Sequence, residues 1–441
     1  MIRLISAAST ASIALAAGLW FGPALTPVSV NGDHGRTGAD SARVASFLTA
    51  LGRTDPVICD MIADQIGNFW NSGDGTLGRF ADDPALAQGP KDSLSGSITD
   101  PRAVTLLVAS LSANDACVRR VAAKLLGRSA APNDVLRELL TNPSARIREA
   151  AAYAAGENDR HELRGPLEHL LGDSGAGPAA MAAWALGELQ DPASERALIE
   201  AVHSASARVR LAGVWALGEL QDAGAAKEVV PMLRDADPAM RAVAAEALGE
   251  MKSPRTGAAL VGALTDRATP VRLAAVRALS DLHERSAIPA LEGMVLNDPD
   301  AEIRRSAAGA LGELSEPRSL DPLVRALSDR DPDVQRQAAE AIGNLEEISK
   351  APAALVRAAA SPDLELRRRA TRTLGKIGDP ATAQTLADRL TDDDKDVRLS
   401  AVEGLGEMKL PSTVASLTRA LNDRDPEVRR AAAEALGKTR E

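Results

Sequence analysis

The chain has 441 residues, with 45% apolar side chains but only 2% aromatic ones, and 51 basic against 61 acidic residues for a formal net charge of -10. This is enough apolar material for an extended core of Ala, Leu and Val. It is too little positive charge for a general nucleic-acid binder, whose affinity comes from counterion release at a basic surface, and the same balance disfavours an anionic membrane surface.

Met1-Ile2-Arg3 opens a mostly apolar segment that is diluted by Ser6, Ser9, Thr10 and Ser12 and followed by proline and glycine. Residues 1–24 read as a secretory signal peptide, with small residues allowing cleavage after Ala16 or Ala24. The alternative is an uncleaved membrane anchor over residues 4–25, a segment just long enough to span. Either way the expectation is an exported protein, periplasmic or extracellular, or one held at a membrane by that segment alone. Residues 25–40, with Pro27, Gly32, Gly35 and Gly38, form a linker. Residues 41–67 read as a worn copy of a unit that recurs later: Val44-Ala45-Ser46 through Leu51 matches Val414-Ala415-Ser416 through Leu421, and Asp55-Pro56-Val57-Ile58 precedes Ile66-Gly67. Residues 68–99 are an irregular insertion carrying Phe69, Trp70 and Phe80 among glycines. Such an insertion is either a functional loop or a lid over the exposed end of the first hairpins. The only cysteines are Cys59 and Cys117. In an exported protein a disulfide between them is permitted and would clamp the ends of the insertion, with two buried free thiols as the alternative.

From residue 100 to 441 one unit repeats. Its template is Asp237-Pro238-Ala239-Met240-Arg241 running to Leu248-Gly249-Glu250-Met251. The glycine recurs at 127, 156, 187, 218, 249, 312, 343, 375, 406 and 437, with Ser280 in its place once, at intervals that are nearly always 31 or 32. A fixed period of this size means a solenoid. Asp237 is placed as an N-cap and Pro238 in the first turn of a helix. Counting Arg241 as position zero, Met240, Ala244, Ala247, Leu248 and Met251 fall in one apolar stripe, and Ala242, Glu246 and Glu250 lie opposite. A second amphipathic helix precedes each of these. The expected fold is therefore all-α: a right-handed α-α superhelix of about twelve helical hairpins of about 31 residues, eleven of them in 100–441.

The block Val209-Arg210 through Trp215-Ala216-Leu217-Gly218-Glu219-Leu220 resembles HEAT repeats of the short, phycobilin-lyase-like type. That resemblance implies an Arg–Asp ladder between neighbouring units, formed here by Arg119, Arg148, Arg210, Arg241, Arg272, Arg304, Arg367, Arg398 and Arg429; Cys59, Ala179 and Gln335 are the exceptions. It also implies that second helices line the concave side, so that positions one, five and nine form the contact surface. Position five holds Tyr153, Trp184 and Trp215 in consecutive units, expected to form an aromatic row. Position nine holds Glu157, Glu188, Glu219, Glu250, Asp281 and Glu313. Position one changes from residues such as Leu211 to Arg305, Arg336 and Arg368. Aromatic anchors inside a charged rim suit protein recognition; the bland alternative is rings folded over small neighbours, stiffening the stack.

An enzyme is not expected. Deoxyhypusine hydroxylases resemble this repeat type and bind iron through His-Glu pairs on the repeat helices. Here His161-Glu162 and His283-Glu284 lie in turns, four units apart, so no iron site assembles. Alkylpurine glycosylases of similar build need a basic concave face, which the glutamate column denies. The run Asp392-Asp393-Asp394 reads as a solvated helix cap. The expectation is a scaffold without metal or cofactor that binds an unidentified protein segment with apolar and basic groups. Two alternatives are a lyase-like or chaperone role on a cofactor-carrying partner, and an accessory or sensor subunit of a membrane complex.

Overall fold

The computed structural model describes residues 41–51 and 98–438 except 128, 158, 254 and 255. The leader, the linker, most of the insertion and the remainder of the 41–67 unit lie outside the described residues. The chain divides into two compact units, Met1–Ala185 and Leu186–Glu441. Both are all-helical where described, apart from an isolated bridge between Ile98 and Ser129.

In the first unit the helix Ser41–Leu51 sits beside Pro101–Ser110, and one carboxylate starts both. Asp100 accepts the Arg102 amide at 2.9 Å and the Ser41 amide at 2.8 Å. From Pro101 onward the chain runs as eleven hairpins of a first and a second helix, the last second helix being Pro426–Lys438. The second helices start as the template predicts. Asp237 accepts the Ala239 amide at 2.9 Å with Pro238 in the first turn, and Asp300, Asp331, Asp363 and Asp394 also cap their helices. They end on a residue with left-handed backbone: Gln190, Gln221, Lys252, His283, Ser315 and Lys409, with glycine only at Gly378.

Neighbouring second helices approach closely at the Leu-Gly step. A Cβ built on Gly249 would lie 2.8 Å from Ala278 Cβ, and one on Gly312 would lie 2.8 Å from Ala341 Cα, which is backbone and cannot move aside. The glycine of one unit therefore meets a small residue at position six of the next. This is the packing reason for both the glycine and the alanine-rich composition.

A row of ion pairs runs beside this contact. Arg241 Nε and Nη2 donate to the two Asp266 oxygens at 2.7 and 2.9 Å, and Nη1 donates to the Asp235 carbonyl at 2.8 Å. Asp266 is the turn residue of the following unit and also accepts the Ala268 amide at 2.8 Å. The same bidentate pairing joins Arg148 to Asp173, Arg272 to Asp298, Arg304 to Asp329, Arg367 to Asp392 and Arg398 to Asp423. Arg119, Arg210 and Arg429 donate to the carbonyls of their own turns. Where Gln335 replaces the arginine, its amide keeps the turn contact to Asp329 at 2.6 Å, and Arg336 reaches across to Asp363 instead at 2.8 Å. The run Asp392–Asp394 is part of this framework, Asp392 pairing with Arg367 and Asp394 capping the next helix.

Arg241 is only 5% exposed. Arg241→Met leaves the Asp266 carboxylate without its counter-ion, and breaking such a pair costs about 3–5 kcal/mol, read as a lower urea midpoint. Arg241 and its hydrogen bond hold Asp266 below the ordinary carboxylate value, and the Arg368 hydrogen bond holds Asp394 down to about 2. A depressed carboxylate contributes stability above its unfolded pKa of about 4 and loses it as pH falls through the folded value. Stability is therefore expected to hold above about pH 5 and to decline between about pH 4 and pH 2, with a shallower decline in Arg241→Met; chemical unfolding against pH measures it. Gly312→Ala, although alanine favours helix by about 1 kcal/mol, is expected to destabilise by about 1–3 kcal/mol through overpacking, seen as a lower melting temperature.

Candidate partner-binding surface

The second-helix face was expected to carry an aromatic row, either open to a partner or folded over small neighbours; Tyr153 and Trp184 do form a row, and both are buried. Tyr153 is 1% exposed and Trp184 is 6% exposed. Their rings stack on each other with centroids 5.2 Å apart and planes 13° apart. The cause is the glycine of the preceding unit. A Cβ on Gly156 would lie 2.9 Å from Trp184 Cζ3, and one on Gly127 would lie 3.2 Å from Tyr153 Cε1, so each ring lies in the slot that a missing side chain leaves. Trp215, in the second unit, covers Gly187 in the same way, with Cζ3 2.8 Å from such a Cβ, and stays half-buried. Tyr153 and Trp184 thus support the stack and offer a partner almost no area.

The arginines at position one are also engaged. Arg336 pairs with Asp333 and Asp363, and Arg368 with Glu365, Asp394 and Asp396, while Arg305 is half-buried with Glu302 at 4.0 Å. Leu211 is half-buried. Arg336 and Arg368 reach the next unit because Asp363 and Asp394 stand at its helix starts.

The acids at position nine remain accessible. Glu157 is exposed in the first unit; in the second, Glu188, Glu250, Asp281 and Glu313 are exposed and Glu219 is half-buried. Exposed Glu246, at position five, lies next to this column. Burial raises Glu219, with the Glu250 charge adding to it; burial and then the Glu313 charge raise Asp281. Glu246 is raised by desolvation and by Glu250, against Arg277. Burial, with like charge beside it, therefore makes the ionised form of these three carboxylates less favourable than in open water. The Ser280 hydroxyl, standing where other units have glycine, donates to Glu313. Reasoning from the sequence passed over Lys376 and Asn344, which occupy position nine where the acidic column stops; the same periodic count would have found them.

Cys117 lies in the first turn of Ala116–Gly127 and has no free thiol. Cys59, its expected partner, lies outside the described residues. Among the described residues no group of His, Cys, Asp and Glu is arranged to hold a metal ion.

The family described as HEAT repeats matches residues 166–236, 226–311, 294–363, 327–404 and 384–441. No curated protein matches the chain. Among solved structures, an engineered protein is 23% identical over 77% of this chain and 99% of its own, with a TM-score of 0.46. Importin beta, crystallised in an ammonium sulfate condition, is 16% identical over 77% of this chain and 57% of its own, with a TM-score of 0.56. A structure of Kap95p binding to RanGDP, which bears on nuclear import complex assembly, is 16% identical over 90% of this chain and 58% of its own, with a TM-score of 0.50. The chain thus spans little more than half the length of these last two, and at this identity the likeness is one of fold.

These findings correct the expected location. Two of the similar folds are importin beta and a Kap95p structure that bears on nuclear import complex assembly, and none of the described helices is long and apolar enough to cross a membrane. The expectation of a periplasmic, extracellular or membrane-anchored protein is withdrawn; residues 4–25, on which it rested, lie outside the described residues.

Trp184→Ala empties a buried slot and is expected to cost about 3–5 kcal/mol, measured by urea unfolding. An unchanged midpoint would show that the ring contributes nothing to the stack.

Proposed function

Because the chain belongs to the HEAT-repeat family, we propose that it is a non-enzymatic protein-interaction scaffold whose second-helix face receives a partner segment carrying basic side chains. The acidic column at position nine, joined by Glu246, carries this reading. Like charges held side by side destabilise a fold and attract a partner of opposite sign. A segment with Lys or Arg groups at matching intervals would relieve Glu219, Glu246 and Asp281, whose carboxyls are all raised. Kap95p, one of the similar folds, binds another protein, RanGDP, and the same use of the fold fits here. Within the family, the period near 31 and the Val-Arg to Leu-Gly-Glu-Leu block support the short, phycobilin-lyase-like repeat type. The resemblance also supports placing the column on a concave wall.

The test separates partner binding from stability. A carboxylate with a raised folded pKa loses stability as pH rises through that value, so removing its charge relieves the fold at neutral pH. Glu250 adds like charge to Glu219 and Glu246, so Glu246→Gln with Glu250→Gln is expected to melt no lower than the natural chain at pH 7. Recovery of the crosslinked partner from native extract should fall about tenfold, as expected when complementary charge is removed. Undiminished recovery, or a loss explained by a lower melting temperature, counts against the reading.

A further inference from the structure

The acidic column ends at a cavity of about 300 Å³ between three successive second helices of the second unit, Pro332–Asn344, Leu364–Ile377 and Lys395–Glu407. Arg368, Arg369, Arg372 and Lys376 project into it from the middle helix. The acids that also line it are Glu340, Glu365 and Asp396. Two of the cations are already committed. Arg369 pairs with Glu340, and Arg368 pairs with Asp394, Glu365 and Asp396. The other two are not. Lys376 Nζ makes one hydrogen bond, to Asn344 Oδ1 at 3.1 Å, which leaves its remaining donors free. Arg372 is exposed and, among the described residues, has neither a hydrogen-bond nor an ion-pair partner. Positions 372 and 376 are one turn apart on the same helix face and both line the cavity, which puts the two heads within reach of one ligand.

We propose that this cavity is an oxyanion site, in which Arg372 and Lys376 grip a carboxylate or phosphoryl group carried by the bound peptide segment. The guanidinium fork supplies parallel N–H donors matched to a planar carboxylate or to two phosphoryl oxygens, and the ammonium adds a point charge. The ion pairs of Arg368 and Arg369 hold the walls in place and keep those two groups from competing for the ligand. The inference rests on the reading that the second-helix face receives a peptide. It adds that the peptide is dipolar, with basic groups on the column up to Glu313 and an acidic or phosphorylated group beyond them.

Three fluorescent peptides of equal length test this on the full chain: one with consecutive glutamates, one with phosphoserines in their place, one with glutamines. The expected result is that an anionic peptide binds, that the glutamine peptide does not, and that Arg372→Ala with Lys376→Ala weakens binding about tenfold with an unchanged melting temperature. Whichever anionic peptide binds more tightly identifies the source of the oxyanion. Binding should weaken as salt rises. Equal binding of the glutamine peptide, no binding of either anionic peptide, or no effect of the double variant overturns the proposal. Glu246→Gln with Glu250→Gln distinguishes the two readings. If the anionic peptides fail while this variant still loses the native partner, only the cavity is refuted; if the variant also keeps the partner, the reading of the whole face fails with it.

Discussion

The spacing between successive hairpins is set by contacts that only a hydrogen atom fits. At Gly249 and Gly312 the next second helix comes so near that even a methyl group would meet Ala278 or the backbone of Ala341. Backbones this close require small residues on both sides, hence the recurring Ala at position six and the low aromatic content. The large apolar side chains are displaced to the faces between first and second helices, where Leu248, Leu279 and Leu311 are fully buried. Where the next unit places a ring over the glycine, as at Gly156 and Trp184, the same missing side chain becomes a slot.

The ion-pair row fixes direction where the close contact fixes distance. In six of the units the guanidinium holds carbonyls of its own turn and the carboxylate of the following one, as Arg272 does with Asp266 and Asp298. That carboxylate in turn receives an amide of its own loop, so that the buried charges are satisfied on all sides. Burying charge is costly unless this is so. An arginine one or two residues out of step along its helix would face no acceptor, which is how polar groups confer register on an otherwise monotonous stack of alanines. Gln335 shows the arrangement under substitution: the amide retains the local contact but is too short to bridge, and the neighbouring Arg336 makes the link to Asp363.

Much of this was legible in the chain because a period of 31 or 32 exposes every position many times over. Asp237-Pro238 announced a helix start, and the Leu-Gly step announced its far end. Helix termination was not legible: the left-handed residue eleven positions after the arginine is Gln221, Lys252 or His283, and none of these advertises that backbone as Gly378 does. The burial of Tyr153 and Trp184 was one of two readings left open in the sequence, because helical angle alone places position five outward. The deciding fact is the glycine in the preceding helix, which a count along one helix does not see. Arg372 and Lys376 differ from the neighbouring acids in the sequence itself, but that the other two arginines beside them are already paired required coordinates.

Stacking is governed by positions zero, six and eight, while the charges facing outward stand at position nine and, outside the aromatic units, at position five. The two sets share no residue. A single substitution at Glu250 or Lys376 therefore rewrites what the wall displays without touching what keeps it standing, and each hairpin can be rewritten independently of its neighbours. Recognition in such a chain can drift one codon at a time across the length of the array, which a compact core, where each side chain serves several neighbours at once, does not permit.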